Sequence, residues 1–121
     1  MDSMVDVKWD FQGAICTYKS SFTATDTISA IAAIGQLEEF SNMEFTIHDF
    51  SGISNISMKI AILITIGAPS LMSVKLDEKH KTAIVTTDPK FEKELVYFKR
   101  LAERNIEIFS SIEDAVRWAR H

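Results

Sequence analysis

Cysteine is almost missing from this chain: of 121 residues, only Cys16 carries a thiol. One thiol cannot close an intramolecular disulfide, so the fold must be held by its core, and no oxidising compartment is required. Glycine and proline are scarce too, at four and two residues. That excludes a Gly-rich phosphate loop, collagen-like repeats and Pro-rich linkers. No apolar run approaches the roughly 20 residues that a membrane-spanning helix needs. The best one, Ile60 to Ala68, is closed by Lys59 and Pro69. The opening MDSMVDVKWD puts Asp2, Asp6 and Asp10 where a secretory leader has an apolar centre. The expected location is therefore cytoplasmic.

A surplus of positive charge is absent as well. Up to Ile60 there are eight acids and three bases; from Ala61 onward nine acids and ten bases, for a net charge of −4. Lys90, Lys93, Lys99, Arg100 and Arg104 crowd one segment, but Glu92, Glu94 and Glu103 interleave with them. This is the pattern of a solvated helix face and argues against a nucleic-acid partner. His48, His80 and His121 are scattered at no metal-ligand spacing, so neither a metal nor another cofactor is expected. No nucleophile stands near a base at a diagnostic spacing, and no paired carboxylates mark an acid/base site, so the chain is read as non-enzymatic.

What is present is an ordinary apolar fraction, 46% against 25% charged residues, enough for one domain over residues 1–121. A chain of this length buries roughly two-thirds of its unfolded surface. Its pattern alternates strands and helices. Val5–Phe11 and Ala14–Phe22, split by Gln12-Gly13, predict an antiparallel hairpin. Thr23 and Asp26 have capping-box spacing ahead of a stripe of Ile28, Ile31, Ala32, Gly35 and Leu37, predicting a first helix. Glu44–Phe50 alternates as a third strand.

The run Lys59–Ile66 is so rich in isoleucine that propensity alone favours a strand. Ser54 and Ser57 as N-caps, and the need for a crossover before the next strand at Thr82–Thr87, favour a helix. Asp88-Pro89 then starts a helix with the stripe Phe91, Leu95, Phe98 and Ala102, ended by Asn105. Ile106–Phe109 is the last strand. Serines 110 and 111 cap a closing helix through Ala115, Val116 and Trp118. The result is an α/β fold, a single mixed sheet of about five strands in the order ββαβαβαβα.

The loop after the third strand holds the best candidate recognition residues: Asp49, Ser51, Ser54, Asn55 and Ser57. A strand-end acid followed by hydroxyls is where α/β domains place recognition chemistry, although each can also serve only as a turn or cap. Phosphate added to one of these serines would meet the positive end of the helix that follows. Ile60, Ile62, Ile64, Ile66, Leu71 and Met72 form an apolar surface too large for one sheet face to cover. They predict either a homodimer interface or the wall of a pocket for a small apolar ligand.

The stretch IHDFSGIS with its following helix, and KTAIVTTDPKFEKELVYFKRLAERNIEIFSSIEDAVRWA, resemble the STAS-like superfamily, and within it a small bacterial branch of STAS/CRAL-TRIO-like proteins. The resemblance covers about Glu44 to the end, and the opening hairpin and first helix match more loosely. In the anti-sigma-factor antagonists of that superfamily, a strand-end Asp-x-Ser-Gly precedes an Asp-Ser pair whose serine is phosphorylated. Asp49-Phe50-Ser51-Gly52 matches the first part, while the pair falls on Ser57-Met58. The resemblance therefore implies a protein-interaction or regulatory module without the kinase-controlled serine. Its CRAL-TRIO side implies, as the alternative, a binder of a small apolar ligand or lipid.

Overall fold

The computed structural model describes residues 3–10, 12–37, 40, 42–73 and 79–121. Phe11, assigned to the first strand by its sequence, lies outside the described residues. The chain opens with β1 (Val5–Asp10) and β2 (Gly13–Tyr18), followed by α1 (Ala24–Gly35) and β3 (Phe45–Asp49). Then come α2 (Met58–Thr65), α3 (Ala68–Met72), β4 (Lys81–Val85), α4 (Pro89–Ala102), β5 (Asn105–Phe109) and α5 (Ile112–Ala119). One five-stranded sheet runs in the order β1-β2-β3-β4-β5. It is antiparallel between β1 and β2 and parallel from β2 onward.

This is the expected mixed α/β sheet with one helix more than the sequence pattern gave. The extra element is α3, whose Pro69 sits in its first turn, where the missing N–H is not needed.

The isoleucine run is helical. Ser57 caps α2 by accepting from the Lys59 amide at 3.2 Å, and Ile60, Ala61, Ile64 and Thr65 form its buried stripe. A strand there would need a slot beside β3 or β4, and both edges of β4 are already paired. The buried Thr65 hydroxyl is satisfied within the helix, donating to the Ala61 carbonyl at 2.7 Å.

Helices α1 to α4 pack on one face of the sheet around Cys16, Ile31, Ile34, Phe50, Ile64, Ile84, Phe91 and Leu95. Against the other face, α5 places Ala115 and Ala119 on Phe45, Ile47, Ala83 and Val85. Because both faces are covered, β3 reads apolar or buried at nearly every position, Phe45 and Ile47 toward α5 and Thr46 and His48 toward the four helices.

Three details depart from the sequence reading. The buried stripe of α1 is Thr27, Ala30, Ile31 and Ile34, while Ile28 and Leu37 are both exposed. Thr27 can face the core because its hydroxyl donates to the Thr23 carbonyl at 3.2 Å. The stop of α4 falls on Glu103, whose left-handed backbone (φ 53°) forms the C-cap, so Asn105 already belongs to β5. Arg104, read as part of a solvated helix face, lies beyond that reversal and turns inward beneath α2.

Candidate functional site

The C-terminal ends of the parallel strands gather the loop after β3, the start of α4 and the start of α5. Asp49 closes β3, and its Oδ1 accepts both the Ser51 amide at 2.9 Å and the Ser51 hydroxyl. This is an Asx turn, the local role of an acid that satisfies loop amides. Gly52 follows with φ +77°, a conformation a Cβ would strain even though nothing lies within 4 Å of it.

The loop is held from inside by three apolar anchors. Phe50 is fully buried, stacked on Tyr18 with ring centroids 4.1 Å apart and edge-on to Phe91 at 5.1 Å. Ile53 and Ile56 are buried between the exposed Ser54, Asn55 and Ser57.

The loop is also held from the side, by a residue that sequence reasoning treated only as a helix cap. Asp88 accepts the Lys90 amide at 3.1 Å through Oδ1, capping α4, and accepts the Asn55 amide at 3.0 Å through Oδ2. Asn55 has φ 56°, which turns its N–H toward Asp88. Nothing in the sequence marks that second bond, because it joins two loops whose adjacency comes only from the parallel pairing of β3 and β4.

The five candidate loop residues are thus brought together: Asp49 and Ser51 bonded to each other, Ser54 and Asn55 facing outward, and Ser57 capping α2. The apolar candidates divide. Ile60, Ile64 and Met72 are buried by the chain's own helices, Ile62 and Leu71 are half-buried, and Ile66 is 42% exposed.

A second polar group lies under the helices. Tyr18 Oη and His48 Nδ1 are 2.9 Å apart, and Thr46 Oγ1 and His80 Nε2 are 3.0 Å apart. Arg104 donates to Thr82 Oγ1 at 3.1 Å and to the carbonyls of Ile64 and Thr65, closing the C-terminal end of α2. Thr46, His48, His80, Thr82 and Arg104, with Ile64 and Met72, surround a space of about 10 Å³, room for about one water. The buried Arg104 Nε has no partner among the described residues.

Burial, and to a smaller extent the electrostatic effect of Arg104 and His80, pushes the His48 pKa down to about 3, so the ring is neutral in the folded chain. Burial lowers Arg104 only to about 10, which leaves it charged at neutral pH. The Cys16 thiol is raised to about 12 by burial and is not an activated thiolate.

A groove of about 530 Å³ opens at the opposite end of the sheet, where Lys79, Lys81 and Arg120 meet Glu44. Lys81 is committed there: it donates to the Trp118 carbonyl at 2.9 Å and lies 5.2 Å over the Trp118 ring.

Among the described residues no group of three His, Cys, Asp or Glu could hold a metal ion, and no helix is long and apolar enough to cross a membrane. In comparisons with known proteins, the chain matches no family model and no curated sequence.

Proposed function

We propose that this chain is a non-enzymatic interaction or regulatory module of STAS-like type, recognising a protein partner through the loop between β3 and α2. The observation that carries the reading is that the loop offers exposed polar side chains on a fixed backbone. Ser54, Asn55 and Ser57 point outward, while Ile53 and Ile56 are buried beneath them and Asp88 holds the Asn55 amide. A surface already ordered loses little conformational entropy on binding, which is how a small loop reaches useful affinity. Two acids of the rim are spent on backbone amides, Asp49 on Ser51 and Asp88 on Asn55 and Lys90. That favours recognition over proton transfer.

A photo-crosslinking residue at Ser54, compared with one at the exposed Lys93 on α4, tests this in the native cell. The reading expects a discrete protein adduct from position 54 that Asn55→Arg suppresses. Equal labelling from both positions, or none from position 54, overturns it.

The carrier of a small apolar ligand ranks second. The space walled by Ile64 and Met72 holds about 10 Å³, so a ligand there requires α3 to move off the sheet. Native mass spectrometry of gently purified protein decides it: a retained apolar mass supports the carrier, and a bare chain supports the interaction module.

A further inference from the structure

Among the described residues, strand β1 lies at the edge of the sheet and pairs only with β2. The Lys19 amide donates to the Met4 carbonyl at 2.9 Å. In the observed register this directs the backbone groups of Met4, Asp6 and Lys8 toward β2. Those of Val5, Val7 and Trp9 therefore face the open side. Ser3 bears this out, since its hydroxyl accepts the Val5 amide at 3.3 Å and donates to the Val5 carbonyl at 2.8 Å from that side. Val7 and Trp9 are 40% and 42% exposed. They stand on the helix-bearing face, opposite Cys16 and Ala14, while Asp6 and Lys8 stand exposed on the other. An uncovered edge of this kind is a template for another strand.

We propose that the other strand is β1 of a second copy of this chain, paired antiparallel about a two-fold axis at Val7, so that the two sheets become continuous. The sequence VDVKW is complementary to itself in that register. Val7 meets Val7 of the second copy, Val5 meets Trp9, and Asp6 meets Lys8 twice, by symmetry. The outward backbone groups of Val5, Val7 and Trp9 then meet as hydrogen-bonded pairs, with the Ser3 hydroxyl giving way to Trp9.

A groove of about 410 Å³ between β1 and α1, lined by Val5, Val7, Ser29, Ala30 and Ala33, lies where Trp9 of the second copy arrives. The small side chains of α1 leave room for an indole. Neighbouring registers fail on the same criteria. An axis at Lys8 sets Lys8 on Lys8, and an axis at Trp9 loses both Asp6–Lys8 pairs. This surface is separate from the β3–α2 loop and does not depend on the function proposed for it.

Charge swapping tests both the partner and the register. Sedimentation equilibrium of the full chain should show a dimer whose Kd rises about tenfold with Asp6→Lys or with Lys8→Asp, as attractive cross-strand pairs become repulsive. Combining the two swaps in one chain restores attraction and should return the Kd to the wild-type value. Trp9→Ala should weaken the dimer, because the indole packs on the other copy, and should leave the melting temperature unchanged only at concentrations where the wild type is monomeric. A wild-type chain that stays monomeric at millimolar concentration overturns the proposal, as does a double swap that fails to rescue. Loss of the dimer with Lys8→Asp but not with Asp6→Lys would place the axis at Trp9 and overturn the register.

Discussion

His48 shows how a single side chain can tie stability to pH. Its folded pKa is about 3 against an ordinary 6.5, so between these values the unfolded chain binds a proton that the folded chain refuses. Stability therefore rises with pH across that interval and is lost as pH falls below about 6.5, by at most about 1.4 kcal/mol per pH unit. Urea titrations at successive pH values check this. His48→Gln keeps an acceptor for Tyr18 and removes the titration, so its stability curve should be flatter between pH 6 and 4; an unchanged slope refutes the assignment. Cys16, also in the core, should resist a thiol reagent at pH 8 in the native chain and react once urea exposes it. The sequence placed His48 in a strand, but could not show that Tyr18, thirty positions away, supplies its hydrogen bond. Such a partner is set by strand pairing, and pairing leaves no local mark.

Helix starts were the most readable features, because their chemistry is local. Thr23 with Asp26, Ser57, Asp88 with Pro89 and Ser111 all cap the helices that their spacing announced. What spacing could not give was any role that crosses between elements, and Asp88 has one. Asp88→Ala should cost about 1 kcal/mol from the lost α4 cap and also release the Asn55 amide. Asp88→Asn separates the two roles. The amide oxygen still caps α4, but its nitrogen cannot accept from Asn55, so loop amides 52–57 should exchange faster with little change in melting temperature. Unchanged exchange would mean that Ile53 and Ile56 alone hold the loop. Gly35 is a similar case. It reads as one more member of an apolar stripe, yet a Cβ there would stand 2.7 Å from the Met72 Cα, where α1 and α3 meet backbone to backbone. Gly35→Ala should therefore destabilise by about 1–3 kcal/mol despite its better helix propensity, measured by urea unfolding.

The two faces of the sheet are covered unequally, and that asymmetry organises how the fold should open. Alternation along β3 speaks for one buried face, not for the two that the structure covers, whereas the closing helix was legible from Ser111, Ala115 and Trp118. Which face each helix would take was not legible, since amphipathic stripes say how much of a helix is buried but not against what. In the structure four helices share one face, with α2 packed against both α1 and α4. The other face rests on α5, eight residues long, through Ala115 and Ala119 with help from Ile112, Val116 and Trp118. Lifting α5 breaks the Lys81–Trp118 bond and the small core over Phe45, Ile47 and Val85, and leaves the larger core intact. Local opening is cheapest where few buried contacts are lost. Native-state hydrogen exchange should then show α5 amides exchanging through an opening well below the global unfolding free energy, with β3 and β4 amides tracking the global value. Ala115→Glu, which sets a carboxylate against Phe45 and Val85, should favour that opening, raising dye binding to the exposed face while the Tyr18–Phe50–Phe91 cluster keeps its near-ultraviolet dichroism. If α5 instead exchanges as slowly as β3, the two cores are one cooperative unit and the asymmetry has no energetic consequence.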